Sequence, residues 1–138
     1  MSVPTGARTE GKLKVAERAL EFAAYTLQIT KNPKIFDPQQ NSGFIDEIRR
    51  LAIMIHSKVW AANGIYVKTQ KDAEQRLRLQ KSARVDCNAI MPLIQLAGKV
   101  FHLKYKRIKY WGEFAIDVRK RIKSWEDSDR KRYDQMFR

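Results

Sequence analysis

The sequence predicts an all-α protein, an up-down-up-down antiparallel four-helix bundle, and three observations carry that reading. Apolar side chains recur three and four residues apart along four long segments, no segment keeps the period of two that marks a strand beyond a few residues, and turn-forming residues cluster at few places. A chain of 138 residues with 43% apolar side chains has the size of one domain, enough to bury roughly two thirds of its unfolded surface. The expected organisation is one bundle over residues 1–138, with a flexible N-terminus at 1–10 and a basic C-terminal tail at 128–138.

The first helix is expected from Gly11 to Lys31, where Leu13, Ala16, Leu20, Ala23 and Leu27 line one side. Asn32-Pro33, Asp37-Pro38 and Asn41-Ser42-Gly43 then form the one turn-rich stretch, a linker of about ten residues, because Pro cannot continue a helix and Asn, Asp and Gly accept turn geometry. The second helix runs from about Phe44 to Asn63 on Phe44, Ile48, Leu51, Ile55, Val59 and Ala62, with Ala52 broadening the stripe. Asn63-Gly64 should end it in the left-handed conformation. The third runs from about Asp72 to His102, with Leu77, Gln80, Cys87, Ile90, Ile94 and Phe101 on one side and a kink expected at Pro92. In the fourth, Ile108, Trp111, Ala115, Val118, Ile122 and Trp125 hold a strict three-four alternation, and Glu126-Asp127-Ser128-Asp129 marks its end.

Composition narrows the function. Twenty-eight Lys and Arg against fifteen Asp and Glu leave a net charge of +13. With an ordinary apolar fraction, that charge rides on a folded body, which points to binding a polyanion. The excess is uneven: residues 68–84 hold six basic and two acidic side chains, and residues 104–138 hold twelve and six. No apolar run reaches the roughly 20 residues that span a bilayer, and MSVPTGARTEGKLK has no signal-peptide core, so a cytoplasmic protein without membrane association is expected. Cys87 is the sole cysteine and falls in the helix-three stripe, which makes it a buried thiol and not a nucleophile.

Catalysis has no visible support. No phosphate-binding loop, nucleophile elbow, HExxH pair or paired carboxylates occur, and His56 and His102 stand apart from any ligand at metal-binding spacing. Glu126, Asp127 and Asp129 read as a solvated helix terminus, so neither metal nor cofactor is expected. The informative residues are the cations. Arg78, Lys81 and Arg84 follow one another at i,i+3, and Arg119 and Lys123 stand at i,i+4 beside Lys120. Like charges at these spacings cost an isolated helix about 0.2–0.5 kcal/mol per pair, a cost that a phosphate backbone offsets by exchanging condensed counterions for side chains. These six are the candidate nucleic-acid-binding residues, for RNA, DNA or both. Asp117 with Arg121 and Glu113 with Lys109 are expected to neutralise each other across one helical turn. Trp111 and Trp125 belong to the core stripe, while Tyr105 and Tyr110 lie off it and could stack on bases. Gln80, with Arg76 one turn before, interrupts the apolar seam of helix three, where a polar residue sets register against a partner helix. Trp60-Ala61-Ala62-Asn63 reads as a small-residue packing point between helices.

The run EIRRLAIMIHSKVWAAN (47–63), then RLRLQKSARVDCNAIMPLI (76–94), then W-x-x-S-D-x-x-R-Y (125–133) resembles the four-helix-bundle proteins related to those encoded in 23S ribosomal RNA intervening sequences. That family includes the accessory variability determinant of diversity-generating retroelements. The resemblance implies a non-catalytic, basic, barrel-like homopentamer that binds RNA and DNA and associates with a reverse transcriptase. Arg49, Arg50, Asn63, Arg76 and Gln80 match the family pattern, which implies packing and assembly roles for them. The tail Ser128–Arg138, the charged KRIKYW at the start of helix four and the lack of an NIAEG-like turn after helix two depart from it. The other reading from composition is a protein-interaction scaffold of a mobile element or intervening sequence, whose charge docks an acidic partner and whose working surface is helix two with the apolar flanks of helix three.

Overall fold

The computed structural model describes the backbone from Thr5 and the side chains from Lys14 to Arg138. Helix α1 spans Thr5–Thr30, α2 Ser42–Asn63, α3 Gln70–Val100 and α4 Tyr105–Met136. Each helix packs on the next and α4 closes on α1, the arrangement of an up-down-up-down bundle. Among the described residues no helix is long and apolar enough to cross a membrane.

The stripes of α2, α3 and α4 become the core. Ile48, Ile55, Ile90, Ile94, Val118 and Ile122 are fully buried, and Trp111 is buried with its indole N–H donating to Thr26 Oγ1 at 3.0 Å. Helix α1 departs in part from the expected face: Ala16 and Ala23 are buried as expected and Leu27 is half-buried, but Leu20 is 51% exposed, and Val15, Ala19, Phe22 and Thr26 face inward as well. Small residues at 16, 19 and 23 let α1 approach its neighbours closely, and Phe22 fills the space by meeting Phe114 edge-on at 5.4 Å. Leu13 lies outside the residues whose side chains are described. So do residues 1–4 of the expected flexible N-terminus, while α1 is already formed at Thr5.

Between α1 and α2, Asn32 and Asp37 accept backbone N–H groups two residues on, as turn residues do. The stretch is also a plug. Phe36 is buried against Phe101 and Trp111, at 4.8 and 6.2 Å between ring centroids, so it closes the end of the bundle. Helix α2 ends at Gly64 with φ −81°, a right-handed conformation and not the left-handed one expected, because the Gly64 N–H continues to the carbonyls of Trp60 and Ala61. Of the stretch Trp60-Ala61-Ala62-Asn63, Ala62 is fully buried in the core, while Trp60 points to solvent at 66% exposure. Thr69 and Asp72 form a reciprocal capping box at the start of α3. The helix passes through Pro92 and stops at Val100, two residues before the expected end. His102 takes the left-handed conformation there, φ 52°, and Leu103 N–H closes on Gly98 C=O.

The largest departure lies at the end of α4. Glu126 and Asp129 do not end the helix; both are buried, and the helix runs on to Met136, so the expected tail at 128–138 is helical for most of its length. Asp129 Oδ2 accepts from Arg76 Nε and from Gln80 Nε2, each at 2.7 Å, and Glu126 accepts from Arg84 Nε at 2.9 Å. Tyr133 is buried one turn later and extends the contact. Two carboxylates that read as solvated are thus partners of α3: Asp129 supplies the counter-charge for buried Arg76 and the acceptor for Gln80, and Glu126 holds Arg84.

Truncating one partner of such a network leaves the others charged and dry, at about 3–5 kcal/mol. Asp129→Ala should therefore lower the denaturation midpoint sharply, whereas Arg76→Met with Gln80→Leu and Asp129→Leu together should restore most of the loss. Urea titration followed by circular dichroism checks both.

Candidate nucleic-acid interface

The candidate surface is the seam between α3 and α4, which are antiparallel and hold a nearly constant register along their length. Arg84 meets Glu126, Arg119 Nη1 donates to Asn88 Oδ1 at 3.2 Å, Gln95 lies over Gly112, and Gly98 touches Ile108. Gly98 suits that approach, since a Cβ there would stand 2.5 Å from Ile108 Cδ1 and the isoleucine side chain would have to turn aside.

Four of the six predicted cations converge. Arg84, Arg119, Lys120 and Lys123, with Asn88 and Ser124, line an open cleft of ≈ 540 Å³. Their states differ. The Arg84 guanidinium is held by hydrogen bonds from Nε and Nη2 to the fully buried Glu126 carboxylate, which raise its pKa further against the cost of desolvation. Most of its charge is neutralised inside the protein. Lys123 Nζ meets Asp127 Oδ1 at 2.8 Å in an exposed i,i+4 pair, which an incoming anion can displace at little cost. Lys120 is exposed and makes no ion pair among the described residues, and Arg119 holds only the neutral amide of Asn88. The charge open to a ligand is thus that of Arg119, Lys120 and, on exchange, Lys123.

Arg78 and Lys81 do not line this cleft. At about 100° per residue, Arg78 sits about 120° around α3 from Arg84 and faces away from the seam. Lys81 is exposed, stands two turns before Asn88 on the same side and prolongs the row of cations.

Of the neutralised pairs, Asp117 with Arg121 forms at 3.0 Å, and Arg18 of α1 joins at 3.1 Å. Burial pulls the Asp117 carboxyl up, and the two guanidiniums outweigh it and hold the group below its ordinary range. Lys109 and Glu113 make no ion pair; both line a second recess on the same seam. Tyr110 packs edge-on to Tyr25 at 5.1 Å and keeps 56% of its surface exposed, while Tyr105, at 75%, is the more open of the two aromatics at this end of α4.

The residues matched to a packing pattern sit as follows. Arg49 Nη1 crosses to α1, donating to Leu27 C=O at 3.0 Å and Thr30 Oγ1 at 2.7 Å. Arg50 pairs with Glu47 on the surface, Asn63 is the half-buried last residue of α2, and Arg76 and Gln80 lie in the core network above. Trp125 is buried, with the Arg76 guanidinium over its ring at 5.2 Å.

The described residues contain no group of three or more His, Cys, Asp or Glu poised for a metal ion, and Glu126 and Asp129 of helix four are occupied by arginines. Asn88, Ser124, Gln95 and Gly112 escaped the sequence reading, because none is charged and nothing in one helix announces what the facing helix sets beside it. Compared with protein-family models, curated proteins and solved structures, the chain matches none.

Cys87 is buried and desolvation pushes its thiol up to about 12. Iodoacetamide at mildly alkaline pH should leave the folded protein unmodified and alkylate Cys87 fully in guanidinium, as mass spectrometry would show.

Proposed function

We propose that this protein is a non-catalytic, basic bundle that binds RNA or DNA through its α3–α4 seam, oligomerises, and serves as an accessory factor to a reverse transcriptase. The observation that carries the nucleic-acid reading is the gathering of Arg119, Lys120 and Lys123 from one face of α4 into a single cleft, on a chain of net charge +13. Backbone neutralisation of this kind favours phosphate over sequence, so affinity falls steeply with salt. Association with a polymerase is supported by the sequence resemblance. Oligomerisation is supported by that resemblance and by apolar side chains that the bundle leaves outside: Val85 and Leu96 on α3, Ile53 and Trp60 on α2.

Replacing Lys120 and Lys123 by Ala should weaken binding to a short structured RNA and reduce the slope of log affinity against log salt by about 0.7–0.9 for each phosphate no longer neutralised. Both side chains are exposed, so the melting temperature should hardly move. An unchanged slope would rule out this face. Arg84 is a poor choice for charge reversal, since a carboxylate there would oppose buried Glu126 and test folding instead of binding.

The exposed apolar residues also favour a second reading, a protein-interaction scaffold. Both readings expect retention on heparin, and the first alone expects stable complexes with RNA or DNA near physiological salt. Trp60→Glu, judged by light scattering, should lower the assembled mass if α2 carries the contact between copies. An unchanged mass would leave that surface to a different protein partner.

A further inference from the structure

Above the basic cleft, the same seam opens into a recess of ≈ 480 Å³ with a different chemistry. Gly112 stands at its floor, where an added Cβ would meet nothing nearer than Gln95 Nε2 at 3.8 Å. Ile108 and Ile116 make apolar wall, Gln95 and Glu113 bring amide and carboxylate groups, Lys99 and Lys109 bring two ammonium groups, and Tyr105 stands at the rim. Gly112 and Arg119 are seven residues apart on α4, about 10.5 Å along the axis and on nearly the same side. The two hollows are therefore successive stations of one groove, about 27 Å long from Tyr105 to Lys123.

We infer that this groove takes a single strand of nucleic acid, with phosphates at Arg119, Lys120 and Lys123 and an unpaired base in the recess floored by Gly112. The inference rests on the nucleic-acid reading above and narrows its substrate class. Three features support it. The cleft end carries open cations with no carboxylate among its lining residues, whereas the recess mixes Lys99 and Lys109 with the Glu113 carboxylate, the Gln95 amide and apolar wall. At the other end Glu113 accepts hydrogen bonds from base N–H groups, Gln95 can both donate and accept, and Lys99 and Lys109 at the same recess meet the phosphates that flank the base. The recess is a hollow between two helices, and the bases of a duplex are stacked and paired, with no base face free to enter it; a splayed single strand offers both its bases and its backbone. Tyr105 supplies an aromatic surface for the next base.

The experiment is fluorescence anisotropy of the full chain with a labelled uridine-rich RNA strand and with a duplex of equal length, at matched salt. The variants are Gly112→Leu, Tyr105→Ala and Tyr105→Phe. Gly112→Leu fills the recess without changing charge, and its melting temperature should not fall, since Gly is the poorer helix former. The wild type should prefer the single strand. Gly112→Leu and Tyr105→Ala should each weaken that binding about tenfold, leave duplex binding unchanged, and Tyr105→Phe should restore it. Equal affinity of the wild type for strand and duplex, or single-strand binding untouched by both Gly112→Leu and Tyr105→Ala, would overturn the groove while leaving the charge-based function standing. Failure of the wild type to bind either nucleic acid would overturn both. Because Tyr105 is exposed, its variants keep the test meaningful even where Gly112→Leu folds poorly.

Discussion

Asp129 and Glu126, two carboxylates on one face of α4, set the geometry on which the rest of the α3–α4 layer depends. Asp129 accepts from Arg76 and Gln80 at 2.7 Å inside the core, and Glu126, with no exposure at all, holds Arg84 at the margin. Apolar stripes can slide past one another by a turn at modest cost, since any methyl fills a hole about as well as another. A buried carboxylate cannot, because displacement leaves it charged, unpaired and out of water. These contacts therefore give the seam a register that hydrophobic packing alone would specify less sharply. The network is not fully satisfied: Arg76 Nη2 and Gln80 Oε1 lack protein partners, as expected where specificity of pairing outweighs maximal stability.

Function follows from that register. With Arg84 locked on Glu126, Asn88 falls opposite Arg119 and Gln95 opposite Gly112, so a cleft lined by cations without a carboxylate forms at one end of the groove and a recess of mixed charge beside Gly112 opens at the other. The charges that hold the structure and those open to a ligand are separated by depth. Arg76, Arg84 and Arg18 are tied to carboxylates, whereas Lys120, exposed at the surface, pairs with no carboxylate among the described residues and Lys123 is held by an exposed neighbour. A high count of basic residues thus overstates the binding surface, and much of the arginine content is internal scaffolding. Arginine suits that use because its fork bonds a carboxylate through two nitrogens at once, as Arg84 does.

The helix count and most of the core were legible in the chain. The stripes of α2 and α4 read correctly because large β-branched and aromatic residues repeat at helical spacing with few rivals on the other faces. Helix α1 misled because its inward face is built largely from alanines and one phenylalanine, while Leu20, a large apolar side chain, is turned outward. Phe36 was hidden for another reason: a lone aromatic in a Pro- and Asn-rich stretch has no period to reveal that it plugs the bundle. The acidic cluster near residue 126 looked like a helix terminus because a carboxylate in isolation reads as solvated.

The sequence by itself determined that this chain makes four amphipathic helices, that Trp111 and Trp125 belong inside, that Cys87 is a buried thiol, and that net positive charge concentrates in the stretches that became the start of α3 and α4. These are properties of period and composition, which each helix carries alone. Only the tertiary structure decided which cations remain open, that Arg78 faces away from the cleft while Arg119 lines it, and that Gln95 and Gly112 bound one recess. Those are relations between two helices, set by an ion pair whose partners lie more than forty residues apart, and no local spacing encodes them.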